Sequence, residues 1–118
     1  MAWGSNHFNV FKTHLDAQSN SNTDMLLMPT NLNARMEERA YRLKDRVKAL
    51  SEQKGSRIHL VTWSLGGIDA RAMITHLDGH QYVESLTTIA SPHKGIYVLD
   101  LMRGEYGIHN LMFFERAM

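Results

Sequence analysis

An α/β fold built on a parallel sheet is what the 118-residue sequence predicts. Three observations carry that prediction. Short apolar runs near 25–28, 57–63 and 85–90 alternate with longer segments of helical periodicity. The order strand, helix, strand, helix, strand makes two crossover connections, and crossovers join parallel strands. The stretch Arg57-Ile-His-Leu-Val-Thr-Trp-Ser-Leu-Gly-Gly-Ile-Asp-Ala-Arg71 passes from strand to helix through one serine and two glycines. Three parallel strands with helices on both faces are therefore expected.

Each element has a local reason. Residues 5–18 form a helix, because Phe8, Phe11 and Leu15 recur at spacings of three and four. The polar tract Ser19 to Thr23 is a loop. Met25-Leu-Leu-Met28 is continuously apolar and is stopped by Pro29, the pattern of a strand buried on both faces. Residues 33–53 give the clearest helix, with Met36, Ala40, Leu43, Val47 and Leu50 on one face. Glu37, Glu38, Arg39, Arg42, Lys44, Asp45, Arg46 and Lys48 are read as its solvated charged face, laced by i,i+4 pairs. Gly55 ends it. Ile58, Leu60 and Val61 mark a buried strand, Ile68 to Leu77 a helix, Asp78-Gly79 a turn and Val83 to Ile89 a further strand. Two short helices are expected over 96–102 and 108–117.

Composition narrows the function classes. The chain is 43% hydrophobic and 21% charged, as in a soluble globular protein, and its length suits one small domain over 1–118. The net charge is +1 and the basic residues are spread out, so neither nucleic acid nor an anionic membrane is implied. There is no cysteine, hence no disulfide framework and no thiolate metal site. No apolar run approaches the roughly 18 residues of a membrane helix. The N-terminus lacks a basic-then-apolar signal pattern. A cytoplasmic or organellar location is consistent with this, and composition leaves both location and oligomeric state open.

Ser64 is the candidate nucleophile. A serine on a tight turn between strand and helix presents its Oγ at a helix N-terminus, where partial positive charge stabilises an oxyanion. Gly66 and Gly67 are the small neighbours that let strand and helix backbones pass closely. The usual pattern Gly-x-Ser-x-Gly is read here as Thr62-Trp63-Ser64-Leu65-Gly66, so Thr62 replaces the first small residue and must be accommodated beside the helix. A serine before glycines is also a common strand-to-helix joint without chemistry. Trp63 lines an acyl pocket or is ordinary packing, and the residues leave both open.

The wider pattern decides in favour of chemistry. His59-Leu-Val-Thr-Trp-Ser-Leu-Gly-Gly-Ile-Asp-Ala-Arg71, followed by Leu86-Thr-Thr-Ile-Ala-Ser-Pro-His-Lys-Gly95, resembles the triacylglycerol lipase family of the α/β-hydrolase fold. That family's Gly-Gly-x-x-x-Arg is matched by Gly66, Gly67 and Arg71. Its Thr-Pro-His-Arg-Gly is matched, with two mild changes, by Ser91 to Gly95, and its following aspartate by Asp100. The resemblance is strong over about 57–100 and fades after Leu101. It implies a serine hydrolase of lipid or other esters that needs no cofactor and no metal. It also implies Ser64 as nucleophile, the backbone N–H of Leu65 as one oxyanion donor, and Met25–Met28, Ile58–Trp63 and Leu86–Ala90 as the family's fourth, fifth and sixth strands.

The same resemblance implies an incomplete machine. The family's second oxyanion donor comes from a His-Gly loop after its third strand, and this chain opens with Met1-Ala-Trp-Gly4, just past that point. The triad acid and histidine follow on strands beyond the sixth. The family's third strand would lie between Met25–Met28 and Ile58–Val61, so an open slot is expected there. His93 and Asp100 belong to a structural loop in the family, His109 has no family counterpart, and Asp69 and Arg71 suit orientation or packing on the elbow helix. His76 and His80 have metal-pair spacing, but Gly79 interrupts the helix between them, so no metal site is expected. Two functions of different classes stand: a lipase-like hydrolase of which this chain is the nucleophile-bearing part, and a non-catalytic remnant or packing module. A small α/β binding module with a fortuitous turn is a third.

Overall fold

The computed structural model describes residues 5–18, 28–29, 31 and 33–96. The chain divides into two compact units, Met1–Thr30 and Asn31–Met118. The first contains α1 (Ser5–Gln18), at the predicted place. An ion pair between Lys12 and Asp16 (2.6 Å) runs along it at i,i+4, and Leu15 is half-buried.

The second unit runs α2 (Met36–Lys54), β1 (Ile58–Trp63), α3 (Leu65–His76), a 3-10 turn (Gly79–Tyr82) and β2 (Val83–Ile89). β1 and β2 pair in parallel, with Leu60 opposite Leu86 and Trp63 opposite Ile89. A bulge between Ile58 and His59 skips Glu84, which reaches instead to Arg57 (2.6 Å) at the exposed start of the pair. α2 ends as predicted. Gly55 takes a left-handed conformation (φ 65°, ψ 24°), and its N–H bonds to the Ser51 carbonyl. Only the conformation demands glycine there, since a side chain would meet open space.

Leu27 and the two residues before it in the predicted first strand lie outside the described residues, and Met28 is not in a strand. The expected slot beside Ile58–Val61 therefore also lies outside them. So do the helices predicted over 96–102 and 108–117, apart from Ile96, which is not helical. Among the described residues the sheet has two strands.

Among the described residues of this second unit, helices cover one face of the sheet where both were expected to be covered. Along β1, Leu60 is buried and Ile58 and Thr62 are half-buried, while His59, Val61 and Trp63 between them are exposed. α3 packs on the Leu60 side, where Gly67 meets Thr88 and Gly66 meets Thr62. α2 packs on α3. Both helices thus lie on one face. The opposite face presents Val61, Trp63 and Ile89 at 42%, 55% and 37% exposure.

The core is the seam between α2 and α3. Ala40 and Val47 of α2 and Ala70 and Met73 of α3 are completely buried. Two alanines there allow the helix axes to approach, and Val47 and Met73 fill the remaining volume. Gly79 is the second requirement. Its Cα lies under Met73, so that any Cβ at 79 would overlap Met73 Sδ and come within 2.8 Å of the Met73 carbonyl oxygen. Asp78 in a left-handed conformation (φ 55°) turns the chain into that gap. Truncating Met73 to alanine should lower unfolding stability by about 2–5 kcal/mol, as for other buried methionines, read as a reduced urea midpoint at an unchanged slope.

Candidate active site

Ser64 joins β1 to α3 with φ 51° and ψ −125°. A side-chain-bearing residue enters that region at a cost of about 1–3 kcal/mol. Both of its backbone groups are held. The Ser64 N–H donates to the Ile89 carbonyl at the end of β2 (2.9 Å), and the Ser64 carbonyl accepts from the Gly67 N–H (3.1 Å). The half-buried Ser64 makes no capping bond to the helix it precedes. Its Oγ thus stands at the head of α3, where the leading amides, that of Leu65 first, have no carbonyl four residues back.

α3 begins at Leu65, three residues earlier than predicted, and encloses both glycines. Glycine's low helix propensity placed them in the turn, and packing overrides it. A Cβ on Gly67 would overlap Ser91 Oγ, approach Ser91 Cβ to 2.7 Å and approach Thr88 Cγ2 to 3.2 Å. The two glycines are not equivalent. A Cβ on Gly66 would sit 3.8 Å from Thr62 Cβ, an ordinary contact. Thr62 is accommodated in that space, and its Oγ1 donates to the Thr87 carbonyl across the sheet (3.3 Å).

β2 ends beside β1 in a similar way. Ala90 has φ 51°, and the chain then folds back so that Ser91 lies over Gly67. Ser91 Oγ is buried with no hydrogen-bond partner among the described residues. The Ser91–Gly95 loop is tied to α3 by Arg71 Nη1, which donates to the His93 carbonyl (3.3 Å), and to β2 by His93 Nε2 and Thr88 Oγ1 (3.1 Å). His59 engages Ser85 Oγ (2.7 Å) across the exposed face of the sheet. Among the described residues, no imidazole is hydrogen-bonded to Ser64 Oγ; His109 and Asp100 lie outside them. His76 and His80 are exposed, and no cluster of three metal-ligating side chains occurs among the described residues. No described helix is long and apolar enough to cross a membrane.

One residue that sequence reading placed in solvent belongs to this region. Arg39 is not on the charged face of α2; it is 4% exposed, against Asp69 at 2%. Arg39 Nε and Nη2 each donate to one Asp69 oxygen, at 2.9 Å and 2.9 Å, and Nη1 donates to the Ala34 carbonyl (2.7 Å). A signal for this was present. Arg39 lies three residues after Met36 and four before Leu43, within the apolar stripe. Breaking one side of such a pair leaves an uncompensated buried charge, at about 3–5 kcal/mol.

The chain and its fold are similar to those of known proteins. The profile described as palmitoyl protein thioesterase matches residues 3–116. Triacylglycerol lipase 2 of Saccharomyces cerevisiae is 38% identical over 76 residues, covering 56% of this chain and 23% of that protein. The chain thus spans about a quarter of the curated relative it matches. The crystal structure of the mature form of Bacillus licheniformis lipase BlEst2 superposes with a TM-score of 0.56 at 27% identity, covering 69% of this chain and 32% of that one. Its propeptide form gives a TM-score of 0.56 at 29% identity, over 64% and 16%.

The unequal glycines give opposite expectations. Gly66→Ala should be neutral or stabilise by up to about 1 kcal/mol, since helix propensity improves and the space exists. Gly67→Ala should destabilise by about 1–3 kcal/mol through overpacking, with partial recovery when Ser91→Gly is added. Urea unfolding of the three variants checks both signs; equal losses at 66 and 67 would contradict the packing described.

Proposed function

We propose, for a chain that belongs to the palmitoyl protein thioesterase family of lipase-like α/β-hydrolases, that Ser64 is the nucleophile of an ester hydrolase acting through an acyl-enzyme. The observation that carries the proposal is the Ser64 backbone, φ 51° and ψ −125°, held by hydrogen bonds on both sides at the head of α3. A plain strand-to-helix joint has no need of that strain, whereas an exposed nucleophile does.

The chemistry follows from the placement. Ser64 Oγ attacks the acyl carbonyl carbon while its proton passes to a general base. The carbonyl oxygen becomes an oxyanion, which accepts a hydrogen bond from the Leu65 N–H and faces the positive end of α3. Collapse of the tetrahedral intermediate expels the alcohol or thiol, which takes up the proton, and leaves the acyl group on Ser64. Water then attacks the acyl-enzyme, releases the carboxylic acid and restores the hydroxyl. Fatty-acyl esters, acylglycerols in particular, are the proposed substrate class. The yeast relative's name points to triacylglycerols, and the family description points to thioesters of the same acyl chain type.

A second reading, a non-catalytic remnant or packing module, is favoured by one observation: no imidazole among the described residues is bonded to Ser64 Oγ. Covalent labelling separates the two. A fluorophosphonate probe should modify the 118-residue chain slowly, at Ser64, and Ser64→Ala should abolish the modification, as mass spectrometry of the labelled peptide would show. Fast labelling that survives Ser64→Ala would sink the assignment.

A further inference from the structure

We infer that the buried Arg39–Asp69 pair is a positioning device for the serine turn: it fixes the first turn of α3, and with it Ser64 and the Leu65 N–H, against α2 and the segment before it. The inference rests on reading Ser64 as the nucleophile.

The need for such a device is visible in the elements themselves. The head of α3 is intrinsically weak. Its first turn contains Gly66 and Gly67, and glycine is a poor helix former. The residue before it makes no side-chain cap, because a serine whose Oγ is kept for attack does not bond to its own helix. The turn is also strained. A weak, uncapped, strained helix start is inclined to fray, and it carries both groups the reaction needs.

The pair acts at that point. In an α-helix the N–H of residue 69 bonds the carbonyl of residue 65. The N-cap carbonyl of Ser64 takes the first such bond, and Asp69 closes the next one, onto Leu65, whose N–H is the proposed oxyanion donor. Its carboxylate is gripped at both oxygens, at 2.9 Å each, so direction as well as distance is set. The third guanidinium nitrogen reaches the Ala34 carbonyl at 2.7 Å, ahead of α2. Stability alone is a poor reason for this arrangement. Both groups are stripped of water, and apolar side chains of similar volume commonly stabilise a core as well or better. Orientation is what an ion pair supplies that an apolar contact does not.

The test exploits that difference. The double variant Arg39→Met/Asp69→Leu replaces the pair with apolar volume, and Arg39→Lys keeps the charge but loses the fork. The readouts, in the 118-residue protein, are the urea midpoint, the rate of fluorophosphonate labelling at Ser64, and hydrogen exchange at the Ser64 and Gly67 amides. The Ser64 amide is hydrogen-bonded to Ile89 at the end of β2 and the Gly67 amide to the Ser64 carbonyl. In the double variant the urea midpoint should hold, exchange at these two amides should rise about tenfold relative to the β1 amides, and labelling should fall about tenfold or more. Arg39→Lys should shift both in the same direction, by less. Unchanged relative exchange in either folded variant would make the pair merely structural and overturn the inference. If the unmodified protein is not labelled at Ser64, the nucleophile reading fails, and exchange still decides whether the pair holds the turn.

Discussion

Two hydrogen bonds on one residue, Ser64 N–H to Ile89 and Gly67 N–H to the Ser64 carbonyl, are the constraint on which the second unit is built. They hold a serine in backbone space that it would leave if free. The strain, about 1–3 kcal/mol, is a sizeable share of the margin by which small domains stay folded. It is sustained only because the neighbours are fixed independently. β2 must run in register beside β1 to bring the Ile89 carbonyl into place, and α3 must start immediately after Ser64 to bring the Gly67 N–H.

Those neighbours are fixed by close approach and by charge. Gly67 has no side chain, so the Ser91 turn settles against the helix and brings the end of β2 level with the end of β1. Arg71 and His93 tie the same loop from outside. From the far side of α3, Arg39 grips Asp69, and α2 comes with it through the buried seam at Ala40 and Val47. The serine turn is thus held from the strand, the loop and the second helix at once. The proposed role of Ser64 as nucleophile demands this, since a misplacement of 1 Å at a reacting atom can cost about 100-fold in rate.

Much of this was legible in the residues. The strand at 58–63, the strand at 83–89, the stop at Gly55 and the serine turn each follow from local pattern, because each is decided by neighbours close in sequence. What was not legible depends on partners far away. Charge patterning along α2 compares residues three and four apart, so it sees Glu38 beside Arg42 and misses Asp69, thirty positions on. Propensity places Gly66 and Gly67 outside the helix, because the reason for Gly67 is Ser91, twenty-four positions on. Strand order and helix order do not say which face each helix covers. The alternation His59, Val61, Trp63 against Ile58, Leu60, Thr62 shows that β1 has two unlike faces, yet both carry apolar residues and neither announces its cover.

The fit of Met73 over Gly79 has a chemical corollary. A thioether seated against a glycine backbone has no room for another atom, so oxidation of Met73 to its sulfoxide would force the chain apart at that point and place a polar group in the seam. The sulfur is completely buried, so an oxidant meets it only when α3 and the turn after it open together. Met73 thereby records such openings: each one that coincides with peroxide leaves a molecule that cannot close in the same way until the sulfoxide is reduced. The compactness that supports the serine turn also ties its lifetime to the redox state of its surroundings, in a chain with no cysteine to intercept the oxidant first.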